Sequence, residues 1–488
     1  MNTGFKSQVV PEFRLLAEDQ IREFHRAALE VNEKIGARID NQEGVELLHQ
    51  HGCPVGEGNM VLIPNGLVEE CLQSAPSRID IYNRKGEQAM RLEGRNIHFG
   101  LGTDLMNTYD VYTGELRPSR LEDVATASRV ADYCKHIDFV ASSAMPHDVP
   151  TNIAYLLNVK TMFENTVKPI FSTAAGLEDL EFIVEMAEAV VGGVDRLRAK
   201  PCLIHYSEPS PPLAHSYGAV RKLFYCAEKG VPIMYAPADI LGGSTTVTLA
   251  GGIVQALAEA QVGIVLHQLR CKGAPIISGW GVCPIDMRTF AFSYGAPEIR
   301  LTNSACSDIF HWYGIPSWST LGTDAHVLDE QASMEHAFNI LMATLDGANL
   351  IHDLGYMGQG LIGNPAILVM CDEMISYVKR LVRGFEMSRE MMGIEQIRKV
   401  GAEGTHLQEE HTLKYFKQEL WLPSLVNRDD IEVWKQKQRR TYGQKAVQKT
   451  IEILETHKPE ELPGDIKNKM EAIAERAQEA LMGIHFVS

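Results

Sequence analysis

Apolar positions in this chain follow two different periods. Between residues 14 and 50, Leu15, Leu16, Ile21, Phe24, Ala27, Leu29, Ile35, Leu47 and Leu48 recur at helical spacing, which predicts a helical cap because residues three and four apart share one face. Short strand-like pieces follow at 61–63, 79–81 and 97–99. A regular rhythm then begins. Compact apolar or β-branched runs at 97–101, 139–142, 169–173, 202–206, 232–236, 275–279, 317–320 and 349–352 alternate with longer stretches of helical periodicity, such as 121–134, 180–191, 254–271 and 297–313. The runs begin roughly 30 to 45 residues apart, the length of a strand, a helix and two loops. Eight such units predict an α/β fold, a (β/α)₈ barrel. The expected organisation is an N-terminal cap of helices and short strands over 1–95, the barrel over 96–363, and a C-terminal helical extension over 364–488.

The runs end in Gly, Ser, Thr, Pro, His or Asp, and in a barrel those ends form the face on which active sites are built. For the small residues a turn role is sufficient. His205, Tyr206, Tyr235, Trp280 and His352 are chemically richer and become candidates for a site. So does the stretch from Ala236 to Gly252, where Gly243, Ser244 and Thr245 are expected to turn tightly and cap the next helix, leaving a helix N-terminus for an anion such as a carboxylate. Phe99, Tyr206, Tyr235, Trp280 and Tyr356 are candidate walls of an aromatic cage. A quaternary ammonium group has no N–H, so ring faces and carboxylates must recognise it. For any single ring, core packing explains the residue as well.

Charge narrows the partners. Forty-six basic against 63 acidic residues give a net charge of −17, which argues against nucleic acid and favours the approach of a cation. The nine cysteines include no Cys-x-x-Cys pair, so reduced thiols and no zinc framework are expected. No long apolar run or polar-capped leader stands out, so a cytoplasmic protein that neither spans a membrane nor binds one is expected. No Gly-x-Ser-x-Gly elbow or His-Glu-x-x-His helix occurs, and no Gly-x-Gly-x-x-Gly dinucleotide-binding loop is expected to follow a strand.

Three segments resemble the trimethylamine methyltransferase family: Leu241–Leu269, with Gly251-Gly252 and Ile264-Val-Leu-His-Gln268; Ala274–Gly281; and Pro316–Leu361, with Ser319-Thr-Leu-Gly-Thr-Asp324, Asp329-Glu-Gln-Ala332 and Gly347-Ala-Asn-Leu-Ile-His352. Glu410-His-Thr-Leu413 and Leu420-Trp-Leu-Pro-Ser-Leu425 add to the likeness. The resemblance implies a barrel enzyme that methylates the Co(I) cobalamin of a cognate corrinoid protein, holds no stable cofactor or metal of its own, and forms a homo-oligomer. Trimethylamine enzymes of that family carry pyrrolysine near the seventh strand, whereas Leu321–Ala325 and every other residue here are standard. The chain is thus similar to the branch whose members demethylate quaternary amines. Glycine betaine is the favoured substrate, with proline betaine and carnitine as alternatives. On this reading Phe99, Tyr206, Tyr235, Trp280 and Tyr356 surround the ammonium, His205, His352 and the Gly243–Thr245 turn meet a carboxylate, and Glu208 and Asp324 supply negative potential or orientation. Two rival readings are a metal-dependent lyase or hydrolase using His205, Glu208, His215 and His352, and a non-catalytic betaine-binding protein.

Overall fold

The computed structural model describes residues 8–483. Four of its barrel strands pair in parallel in the order Ile170–Ser172, Leu203–Ser207, Ile233–Tyr235, Ile276–Ser278. A second group joins Trp318–Thr320, Leu350–Leu354 and His98–Leu101, also in parallel. Residues 139–140 close one gap through bridges to Gly100 and Ile170, and a Ser278–Ser317 bridge closes the other. The wall is therefore a closed ring of eight strands at the eight predicted places. A helix follows each strand, and the eighth is Pro365–Val382. The barrel thus runs about twenty residues beyond the boundary expected at 363, because that helix is apolar on the side that meets the wall.

Side chains alternate across each strand. Phe171, Ile204, Tyr206 and Met234 share the inner face through the pairs Ile204–Phe171 and Tyr206–Met234. His352, Thr320, Leu350 and Trp318 share it through Thr320–His352 and Trp318–Leu350. Glycine makes room for the rings inside. A Cβ on Gly100 would overlap Phe139, and one on Gly102 would lie 1.9 Å from the Tyr356 ring.

Helix Leu249–Arg270 is long and apolar enough to cross a membrane by composition, yet most of it is buried in the protein. The reason is a second layer. Helices Glu18–Lys34 and Asn65–Ser74 of the cap pack on its outer side while the wall covers its inner side, so the helix is apolar nearly all round. At the other end, helix Tyr442–Thr456 packs on Pro365–Val382, and helix Gly464–Ala480 packs on Leu177–Val191. Between them, the short helices Ile394–Val400, Glu410–Glu419 and Ile431–Gln436 bury no residue.

Candidate functional site at the barrel mouth

The chemistry concentrates where the strands end. His352 is 2% exposed and stands among the rings of Phe171 (4.4 Å between centroids), Tyr206 (6.0 Å), Trp318 (6.3 Å) and Tyr356 (6.4 Å). Tyr294 meets Tyr356 edge-on at 5.6 Å and 85°. The Tyr356 hydroxyl donates to the Thr103 carbonyl (2.6 Å) and accepts from the Thr103 amide (3.1 Å). That ring is held by its polar end and offers only its apolar body.

Three carboxylates face the same space. Glu208 accepts the Tyr206 hydroxyl at 2.5 Å. Its carboxylate is accessible, yet the protein packed around the recess raises its pKa, with the Asp353 charge adding to the effect. Asp104 accepts from Ser142 Oγ at 3.0 Å and is likewise raised by burial. Asp353 accepts the Thr320 hydroxyl through Oδ2, while its Oδ1 has no hydrogen-bond partner. His352 Nδ1 lies 2.8 Å from that Oδ1 without hydrogen-bond alignment, and its Nε2 is also unpartnered. Asp104 (φ 61°) and Asp353 (φ 69°) both adopt left-handed backbone, a strained setting that persists at functional positions when the surroundings enforce it.

Asp324 acts at one remove. Its carboxylate accepts from Ser293 Oγ, from the Tyr294 amide (2.8 Å) and from the Gly295 amide (3.3 Å). It pins the loop that lays Tyr294 over Tyr356. Gly322 and Gly360 lie under the Tyr294 ring, where an added Cβ would come within 2.9 and 3.1 Å.

Of the expected site residues, the structure brings together Tyr206, Glu208, His352 and Tyr356 at the mouth, with Asp324 behind it. The others are elsewhere. Strand alternation turns His205 to the outer face, where it approaches Ser172 Oγ (3.3 Å), and burial beside Lys222 lowers its pKa. Tyr235 also faces out, its ring against Gly263 and its hydroxyl 2.9 Å from His215 Nδ1. Phe99 lies toward Lys379 of the eighth helix, and Trp280 donates to the Thr302 carbonyl behind the wall. Gly243, Ser244 and Thr245 form a closed turn and do not start the helix. Ser244 Oγ accepts from the Ile240 amide, and the helix begins at Leu249 after Thr248. The glycine pattern that was not expected does occur, as Gly358-Gln-Gly-Leu-Ile-Gly363 after the eighth strand. Its glycines are occupied by protein, with Gly360 against Tyr294 and Gly363 against the Ser143 carbonyl, so no cradle for a pyrophosphate is left. The residues proposed for a metal do not converge either, since His205 and His215 lie outside the wall and Glu208 and His352 inside it.

Asp104, Phe171, Tyr294, Trp318 and Asp353 were missed in the sequence. Phe171 and Trp318 lie in predicted strands, so strand phase was the signal for those two; Asp353 follows His352, where simple alternation turns it outward, and only the register shift and left-handed backbone at that point bring it to the mouth. Tyr294 and Asp104 sit on loops, where no period applies.

The fold defines a (β/α)₈ barrel enzyme, and its mouth is ringed by aromatics and carboxylates. The family described as trimethylamine methyltransferase (MTTB) matches residues 3–481. The chain is 31% identical to trimethylamine methyltransferase MttB of Desulfitobacterium hafniense over 95% of this chain and 94% of that one. It is 29% identical to a glycine betaine methyltransferase of the same species, over 97% and 99%. The monomethylamine methyltransferase of Methanosarcina barkeri shares the fold at a TM-score of 0.52 and 12% identity, covering 97% of this chain and 90% of that one. This chain belongs to the trimethylamine methyltransferase family and is a methyltransferase.

Proposed function

We propose that this protein transfers a methyl group from a quaternary ammonium compound to the Co(I) of a corrinoid carried by a separate protein. The observation that supports this reading is the mouth itself: Phe171, Tyr206, Tyr294, Trp318 and Tyr356 with Asp104, Glu208 and Asp353 are groups that hold a cation without needing an N–H from it. A quaternary nitrogen already bears positive charge, so its methyl is electrophilic and a neutral tertiary amine leaves. No general acid is needed. The residues then have positioning work: the rings and carboxylates seat the ammonium, Asp324 keeps Tyr294 in place, and the closed wall keeps water from the buried side. Carboxylates and rings stabilise the charged ground state, whose charge is being lost at the transition state, so they improve binding more than rate.

Glycine betaine heads the panel to test, because a relative bears its name; proline betaine, carnitine and choline complete it. The assay is methylation of free Co(I) cobalamin by each compound, followed by visible absorbance, with trimethylamine as control. Transfer from a quaternary donor and none from trimethylamine is expected. Transfer from trimethylamine alone would overturn the reading. Binding of a quaternary compound without transfer, even with reduced corrinoid proteins supplied, would favour a non-catalytic binding protein.

A further inference from the structure

The barrel mouth has an excess of negative charge that a betaine carboxylate would have to share. Asp104, Glu208 and Asp353 face it, and each cation nearby already makes at least one contact within the protein. Lys222 Nζ donates to the Ala174 carbonyl at 3.1 Å, with Asp179 and Glu208 as its charged neighbours. The Arg300 guanidinium, on the helix behind the wall, donates one N–H to the Thr320 carbonyl at 2.7 Å, while its buried Nε has no partner. Arg288, on the hairpin before Tyr294, is paired with Asp286 at 2.6 Å. His352 sits beside Asp353 with Asp104 also close. The Gly243–Thr245 turn supplies no helix N-terminus for an anion.

Two buried atoms ask for a ligand. His352 Nε2 has no hydrogen-bond partner, and Asp353 Oδ1, 2.8 Å from His352 Nδ1, makes no aligned hydrogen bond, in side chains that are 2% and 4% exposed; unsatisfied buried polar atoms are uncommon unless something fills them. A hydroxyl suits this pair, since it donates to a carboxylate oxygen and accepts from a ring N–H. A carboxylate can only accept, and it would stand among three like charges.

Resting on the reading of the protein as a quaternary ammonium methyltransferase, we propose that its donor carries an uncharged, hydroxyl-bearing tail, as choline does, and that Asp104, Glu208 and Asp353 select against betaines. Discrimination of this kind comes from repulsion of the wrong tail as much as from attraction of the right one.

Calorimetry on the full-length protein at one ionic strength tests it with three probes: tetramethylammonium, choline and glycine betaine. Choline is expected to bind at least about tenfold more tightly than glycine betaine, with tetramethylammonium between them. Glu208→Gln and Asp104→Asn, made singly, are expected to narrow that gap by admitting the betaine. Glycine betaine binding as tightly as choline would overturn the selection and leave the quaternary ammonium reading standing. No binding by any of the three would overturn that reading itself. A gap unchanged in both variants would overturn the assignment of the repulsion to these carboxylates.

Discussion

Asp324 lies behind the mouth and reaches it only through the backbone of the Tyr294 loop, which makes it a sharp test of how the site is built. Replacing it with Asn keeps the shape and removes the charge. Three donors converge on the carboxylate: the Ser293 hydroxyl and the amides of Tyr294 and Gly295. An amide oxygen can still serve one side, but the new NH₂ faces donors on the other. Hydrogen bonds to a charged acceptor contribute about 1.5–3 kcal/mol each, and a donor left unpaired loses a comparable amount. Losing roughly one such bond on the loop, about 1.5–3 kcal/mol, translates into ~10- to 100-fold weaker cation binding if ordering of Tyr294 is coupled to occupancy. The expected result for Asp324→Asn is therefore a loss of that size in tetramethylammonium affinity with only a small change in Tm, since the loop is a surface element. Tyr294→Ala should weaken binding similarly, and the double variant should lose little more than either single one. Full affinity in Asp324→Asn, or additive losses in the double variant, would refute the idea that Asp324 acts through Tyr294.

The strand phase makes a paired prediction: Tyr206→Ala should weaken cation binding by about 0.5–2 kcal/mol, whereas Tyr235→Phe should leave it unchanged within error. Calorimetry in which Tyr235→Phe is the more damaging change would reverse the inside-outside assignment. Burial holds two neighbouring acids near neutrality, Asp239 at about 7 and Glu259 at about 8, with Gln255 bonded to both. The folded protein keeps protons there that the unfolded chain has released, so this pair's contribution to stability is present at low pH and is lost as pH rises from about 4 through 8. Asp239→Asn should accordingly raise Tm more at pH 8 than at pH 5, and equal shifts at both values would count against it. The helices Ile394–Val400, Glu410–Glu419 and Ile431–Gln436 bury nothing in the single chain, and Leu407, Leu413 and Leu422 are 80%, 65% and 65% exposed. Light scattering should give a mass of at least two chains, reduced by Leu413→Glu with Leu422→Glu; the mass of one chain for the unaltered protein would refute assembly through this arm.

The barrel was legible because its signal is one-dimensional. Each strand is a short apolar run, each helix a longer amphipathic one, and both periods can be counted along the chain. Helix Pro365–Val382, which completes the eighth strand-helix unit beyond the boundary expected at 363, carries Lys379 and Arg380 in its last turn and leads into a charged tail, so in the sequence it reads like the extension that follows it. The site was harder for a geometric reason. His205 and Tyr206 are neighbours at the same strand end, and composition cannot say which one faces in. Pairing can: Tyr206 lies beside Met234 and shares its face with Phe171. The same one-residue ambiguity placed Tyr235 and Phe99 in the cage and left Phe171 and Trp318 out of it.

The loop residues show a different limit. Asp104 and Tyr294 are separated by 190 positions, and no local pattern links them. Asp104 follows the first strand and Tyr294 the sixth; ring closure sets the first strand beside the eighth, whose loop carries Tyr356 between Thr103 and the Tyr294 ring. Closure also explains why the first strand needs Gly100 and Gly102. The inner space of an eight-stranded barrel is filled by side chains, so the rings of Phe139 and Tyr356 can enter it only where the wall has no Cβ. Gly102→Ala tests this dependence directly. It should destabilise the fold by about 1–3 kcal/mol through overpacking and weaken cation binding as Tyr356 is displaced. In Tyr356→Ala, where the space has been emptied, the same alanine should be nearly silent in Tm. An equal loss of stability in both backgrounds would mean that the strand itself requires glycine, and that the ring does not.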